Sequence, residues 1–181
     1  NLSFEKLTHL SQTIRRRTVR TGALFLRKRS EVMPKHTGSC HCGQVKLATD
    51  LDPMLTMQCN CSSCRKHSGS VTLHTFYAET EIDIEGPTNT YVYTGGSGHK
   101  MTASHCTNCM TKVAVRPEVF EGMLGVPVGM FDDAKTLTPK MEIWNSERLP
   151  FLASSECMED RFDGSSVAER LSALIEALEN R

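Results

Sequence analysis

The chain reads as a mainly β domain whose antiparallel sheets are pinned by metal and followed by a C-terminal helix. Three observations carry this reading. Short runs rich in Val, Thr, Ile and Tyr alternate with Gly and Pro turns from Gly38 to Trp144, the pattern of strands and hairpins. Seven of the eight cysteines fall into three tight clusters: Cys40-His41-Cys42, Cys59-Asn60-Cys61-Ser62-Ser63-Cys64 and Cys106-Thr107-Asn108-Cys109. After residue 164 the hydrophobic period becomes helical.

Residues 1–32 carry eight Lys/Arg, among them Arg15-Arg16-Arg17, Arg20 and Arg27-Lys28-Arg29, against Glu5 and Glu31. This composition fits a mitochondrial transit peptide, an incidental extension ahead of a start at Met33-Pro34, or a basic arm that touches nucleic acid. Residues 33–164 make up the β domain and 165–181 the helix. Together these two segments hold thirteen Lys/Arg against nineteen Asp/Glu. They lack a basic stripe with interleaved aromatics, so nucleic acid is a disfavoured partner. With 39% hydrophobic residues in 181, the chain has enough apolar material for one core. No run approaches the roughly 20 apolar residues of a membrane span. The expected location is the cytoplasm, or the mitochondrion if residues 1–32 are a transit peptide.

Expected strands are Gln44–Thr49, Val71–Tyr77, Glu81–Glu85, Thr90–Thr94, Lys112–Arg116, Met123–Met130 and Lys140–Trp144. Gly86-Pro87 and Gly95-Gly96-Ser97-Gly98 punctuate them as turns. The second lacks the length and the lysine of a phosphate loop and reads as a flexible hairpin tip. Val167, Leu171, Leu174, Ile175 and Leu178 follow Ser165-Ser166, an N-cap signal, and predict about four turns of amphipathic helix with a structural role.

The cysteine spacing suits intracellular metal binding better than disulfides. Seven thiolates divide as four plus three. Four close a tetrahedral structural zinc, and three leave one position for water or substrate. Cys40/Cys42 and Cys106/Cys109 lie more than sixty residues apart, so one zinc held by all four would staple an early strand to a late one. Cys59, Cys61 and Cys64 lie on one short loop and would occupy one face of a second tetrahedron. Three thiolates on a dication leave a charge of −1, which suits holding a thiolate substrate better than making a strong hydroxide. Arg65 and Lys66 would offset that charge or meet a substrate carboxylate; the bland alternative is that both are solvated. His67, or less readily His74, would turn the trio into a closed Cys3His site if it took the fourth position. His41 and His105 read as neighbours of sites already rich in sulfur. Cys157 stands apart as a thiol without a metal role.

Gly38-Ser39-Cys40-His41-Cys42-Gly43, the Cys59-x-Cys61-x-x-Cys64-Arg65-Lys66 run and the later Cys106-x-x-Cys109 together resemble the glutathione-dependent formaldehyde-activating enzyme family, which includes centromere protein V. The resemblance covers roughly Met33 to Phe151. It implies an Mss4-like fold with two zinc ions per chain. The structural zinc would be held by Cys40, Cys42, Cys106 and Cys109, and the zinc assigned to catalysis by Cys59, Cys61 and Cys64. It also implies a carbon–sulfur lyase that condenses glutathione with formaldehyde to S-hydroxymethylglutathione, so that the partners are a small thiol and a small carbonyl. From their place after Cys64, Arg65, Lys66 and His67 are the expected substrate contacts, with His67 or a water as the acid for the developing alkoxide. Two positions depart from the family pattern: Met110 stands where a glycine commonly ends the last knuckle, and Phe151 where tryptophan is frequent. Trp144 is an alternative aromatic wall. The rival reading is a zinc-stabilised binding module whose basic tail contacts DNA or protein.

Overall fold

The computed structural model describes residues 33–181; the basic segment and the three readings attached to it lie outside the described residues. In chain order the described residues form β1 (His36–Ser39), β2 (Lys46–Thr49), β3 (Leu55–Cys59), α1 (Ser62–Ser68), β4 (Thr72–Ala78), β5 (Asp83–Glu85) and β6 (Thr88–Thr94). There follow β7 (Lys100–Cys106), β8 (Lys112–Pro117), β9 (Met123–Pro127), β10 (Met141–Ile143), β11 (Asp160–Arg161) and α2 (Val167–Glu179). The fold is mainly β with a C-terminal helix, as the sequence predicts.

A three-stranded sheet has the order β1-β2-β5, and an eight-stranded sheet the order β11-β10-β3-β4-β9-β8-β7-β6. Antiparallel pairing prevails except at one edge, where β10 runs parallel to both β3 and β11. Four strands escape the sequence pattern. β1, β3 and β7 carry few β-branched residues, and β11 has two residues. Their pairing comes from neighbours: β3 is held between β10 and β4, and burial between partners overrides a weak intrinsic preference. β1 also needs Gly38, because a Cβ there would lie 2.0 Å from the Met130 carbonyl oxygen.

The expected strand Met123–Met130 stops at Pro127, and Val128–Met130 turns as a single 3-10 helix. Proline supplies no N–H to extend the ladder. The last pairs of β9 are Pro127 with His74 on β4 and Gly125 with Val115 on β8. The N-terminal ends of β4 and β8, with Thr72 and Lys112, therefore extend past the end of the strand that separates them.

Two cores flank the large sheet. One gathers Leu55, Met57, Phe76, Phe120, Met123, Met141 and Ile143 with Cys59 and Cys61, under Val167, Leu171, Leu174 and Leu178 of α2. Full burial of each leucine contributes roughly 1.5–3 kcal/mol, which is what docks a helix this short. Ile175 is only partly buried against that core. Ser166 does not cap α2 with its side chain; it adopts φ 45° instead. The other core gathers Val45, Leu47, Tyr77, Val113, Leu124, Val126 and Phe131 with Cys40 and Cys106. Each cysteine group thus grows from the margin of one core. No helix among the described residues is long and apolar enough to cross a membrane.

Candidate functional site

The first and third clusters meet. Cys40, Cys42, Cys106 and Cys109 place all four Sγ atoms within 4.8 Å of one another, with Cys40 3.5 Å from Cys42 and Cys42 3.7 Å from Cys106. A tetrahedral zinc with Zn–S near 2.3 Å requires sulfurs roughly 3.8 Å apart, so the donor set fits that ion. The Val45 N–H donates to Cys40 Sγ at 3.2 Å, and Thr111 Oγ1 lies 3.2 Å from Cys109 Sγ. The Thr111 contacts hold the Cys109 thiol down at about 5, and such contacts favour the thiolate a metal needs. Met110 has φ 58° and is 63% exposed. The last knuckle thus keeps the left-handed turn that glycine would ease.

Cys59, Cys61 and Cys64 form the second group, again within 4.8 Å. They do not share a loop. Cys59 ends β3, Cys61 is the N-cap of α1, and Cys64 lies in the helix, its N–H donating to Cys61 Sγ at 3.3 Å. α1 carries no buried residue, so no hydrophobic period announces it, and a cysteine cap is not a usual start signal. Hydrogen bonds from Cys59 and Cys64 pull the Cys61 thiol down to about 2, while the hydrogen bond to Cys61, then Cys64 and burial, push Cys59 far up. The trio by itself favours one shared negative charge. Ionising all three thiols requires a cation, and no His, Asp or Glu among the described residues joins the group.

The arch between Cys59 and Cys61 is braced from below. Asn60 is fully buried, and its Nδ2 donates to Glu142 Oε1 at 2.9 Å. Gln58 Nε2 donates to the same oxygen at 3.0 Å, and Ser154 Oγ to Glu142 Oε2 at 2.6 Å. From above, the Arg65 guanidinium donates to the carbonyls of Asn60 and, at 2.7 Å, Glu147. Arg65, which the sequence offered as an offset to the trio's charge or a contact for a substrate carboxylate, thus braces the arch; Lys66 is exposed beside it.

His67 does not enter the trio. Its ring stacks on Tyr93 at 4.2 Å between centroids, with Tyr91 at 5.4 Å and His105 at 6.4 Å. Burial and then the Lys112 charge lower both His67 and His105, which favours neutral imidazoles. Burial, then the thiols of Cys64, Cys61 and Cys59, push Tyr93 above the usual phenol range, so it stays a hydroxyl donor. His74 is deeply buried, and its Nε2 has no hydrogen-bond partner.

Two features, the tip that carries Gly96 and the placement of Arg170, were not legible in the sequence. Gly96, at the β6–β7 tip, comes so near the trio that a Cβ would sit 3.2 Å from Cys61 Sγ and 3.4 Å from Trp144 Cζ2. The tip is a wall of the site, and Trp144, with φ 57°, is its aromatic neighbour. Phe151 is 78% exposed and supplies no such wall. Arg170 of α2 is buried, with its guanidinium 4.9 Å from the Phe120 ring centroid. Burial lowers it to about 10 against the opposing pull of Cys59, Cys64 and Cys61, so the helix adds a cation on the side of the trio. His41 and Cys157 stay outside both groups, and Cys157 Sγ lies 3.0 Å from Ser155 Oγ.

The model of the glutathione-dependent formaldehyde-activating enzyme family matches residues 35–147, the stretch that carries both cysteine groups. The chain belongs to the glutathione-dependent formaldehyde-activating enzyme family. A Rhodobacter sphaeroides protein of known crystal structure is similar at 16% identity and a TM-score of 0.42, over 70% of this chain and 98% of that one. No curated protein matches the chain. Within the family frame, the four-thiol group is the closed set, and the trio under Gly96 is the set to which the described residues add no fourth donor.

Proposed function

We propose that this chain is a zinc-dependent carbon–sulfur lyase-type enzyme that joins glutathione, or a related thiol, to formaldehyde or another small carbonyl, giving S-hydroxymethylglutathione in the leading case. The observation that carries the reading is the trio itself: three sulfurs within 4.8 Å, without a fourth protein donor among the described residues, beneath a loop that meets Cys61. Cys40, Cys42, Cys106 and Cys109 would hold a structural zinc, and Cys59, Cys61 and Cys64 a second zinc. The second ion, when bound, supplies a soft acceptor that lowers the pKa of a thiol.

The chain's own groups do the rest. The neutral imidazole of His67 accepts the thiol proton. The Tyr93 hydroxyl, held protonated, donates to the carbonyl oxygen as negative charge grows there. In the addition, the sulfur lone pair forms the C–S bond, the C=O π pair moves to oxygen, and a proton completes the hydroxyl. Lys66 meets an acidic group of the thiol at the rim, and Arg65 holds the Asn60–Cys61 backbone in place. The Gly96 loop limits water above Cys61.

The test is exchange between glutathione and S-hydroxymethylglutathione, followed by NMR with the zinc-loaded full chain. Acceleration over the uncatalysed rate is expected, and Cys61→Ala is expected to lose both the acceleration and one of two zincs. Acceleration that survives in Cys61→Ala would overturn the proposal.

A further inference from the structure

The end of the large sheet beside the trio carries an ammonium that the family reading does not use. Lys112 opens β8 and pairs across the ladder with His105. It stands past the end of β9, where β4 and β8 lose the strand between them. The site around it is unusually poor in acid. The groups that share its field are His67, His74, His105 and the thiols of Cys59, Cys61 and Cys64, and the Tyr93 hydroxyl feels the same thiols. No Asp or Glu forms an ion pair with Lys112 among the described residues, although Lys35, Lys100, Lys140 and Arg116 each have one.

Two further atoms mark the same end of the sheet as unfinished. Thr72 Oγ1 and His74 Nε2 are buried without a hydrogen-bond partner, on residues only 6% and 7% exposed. Both project from the same face of β4, since they are two residues apart on one strand. Thr72 pairs with Cys59 of the trio in the ladder. Buried polar atoms are rarely left unpaired in a native protein unless a ligand or water completes them. A half-buried ammonium likewise calls for an anion. Burial lowers the Lys112 pKa, which records the desolvation that such an anion would offset.

We infer that Lys112 is a substrate-binding residue that takes a carboxylate of the thiol, with Thr72 and His74 completing the polar floor, so that this site selects acidic thiols over neutral ones. The competing role is general charge compensation: Lys112 would then balance the thiolate trio and be indifferent to the acid groups of the substrate. The inference rests on the thiol-handling reading above. Lys112 is distinct from Lys66, whose exposure places it at the solvent edge.

The experiment is calorimetric binding of glutathione and of glutathione diethyl ester to the zinc-loaded full chain, its Lys112→Met variant and its Lys112→Arg variant. Zinc content is checked in each. Glutathione is expected to bind the wild type at least about tenfold more tightly than Lys112→Met, while the diester binds both alike; Lys112→Arg restores most of the preference. Equal weakening of acid and ester in Lys112→Met would assign the lysine to charge compensation and overturn the inference. So would unchanged glutathione affinity in that variant, or no glutathione binding to the wild type. If the wild type binds glutathione with the expected Lys112 dependence but does not accelerate S-hydroxymethylglutathione exchange, the lyase reading fails and the recognition site stands.

Discussion

Gly96 and Cys61 lie 35 positions apart in sequence, yet a Cβ on Gly96 would come within 3.2 Å of the Cys61 sulfur. That approach leaves almost no room on the tip side of the trio. Gly96→Val is expected to push the tip away or crowd the fourth position. The second zinc is retained, since all three thiols are still present, while kcat/KM for thiol–carbonyl condensation falls by about tenfold or more, because small misplacements of reacting groups carry large rate penalties. Zinc counting beside steady-state kinetics checks this. An unaltered rate in the variant would show that the tip swings clear during turnover.

The contact also marks the boundary of what the sequence could tell. Cysteine spacing exposed both donor sets because chelation is local within each cluster, and only the joining of the first and third clusters is long-range. The amphipathic period of α2 was equally plain. α1 was hidden because it buries nothing, and β3 because its strand character comes from β10 and β4 on either side of it. Arg170 sits between Glu169 and Leu171 in sequence, and only the packing of α2 turns it inward over Phe120. The Gly-rich tip read as flexible because nothing local connects residue 96 to residue 61.

Met110 keeps a left-handed backbone at φ 58° with its side chain in solvent. That conformation costs a non-glycine residue about 1–2 kcal/mol, and glycine returns roughly 0.5–1 kcal/mol of that as unfolded-chain entropy. Met110→Gly is therefore expected to stabilise the zinc-loaded domain by about 0.5–1 kcal/mol. Thermal melting would show it as a rise of a few degrees, on the usual scale for a domain of this size.

Glu142 has no exposed surface and gathers Gln58, Asn60 and Ser154 on its two oxygens, with Arg161 Nε at 3.8 Å. Glu142→Ala leaves the buried Asn60 amide with its weaker contact to the Ile143 carbonyl at 3.3 Å. A stability loss of about 1–3 kcal/mol is expected. The arch between Cys59 and Cys61 loosens with it, so zinc affinity at the trio drops by roughly 10- to 100-fold, while the four-thiol site is unaffected. A competitive chelator titration resolves the two sites. Equal weakening of both would show a global rather than a local effect.

His74 is held down at about 3, first by burial and then by the Lys112 charge. The unfolded chain takes up this proton near the ordinary value of 6.5. Stability from the neutral imidazole is therefore complete above about pH 6.5 and declines as pH falls toward about 3, by up to about 1.4 kcal/mol per unit. His74→Leu removes that titration. Urea unfolding at about pH 7.5 and about pH 5.5 is expected to show the wild type losing about 1 kcal/mol more than the variant across the interval. The difference between the two proteins cancels any acid loss of zinc common to both.

The division of seven thiols into four and three is tested by what each group does when broken. Cys106 is fully buried at the end of β7, in the core that holds Val113, Leu124 and Val126, and its group joins the turn after β1 to the β7–β8 hairpin. A structural zinc contributes on the order of 10 kcal/mol or more, comparable with the whole stability of a domain. Cys106→Ala is expected to abolish cooperative unfolding and both zinc sites. Cys61 lies at the opposite core, where Leu171, Leu174 and Leu178 already hold β3 in place. Cys61→Ala is accordingly expected to keep a cooperative transition and one zinc per chain, and to lose thiol binding. Circular dichroism melts with zinc counts distinguish the two outcomes. If Cys61→Ala unfolds as completely as Cys106→Ala, both groups are staples, and the trio loses its separate role in chemistry.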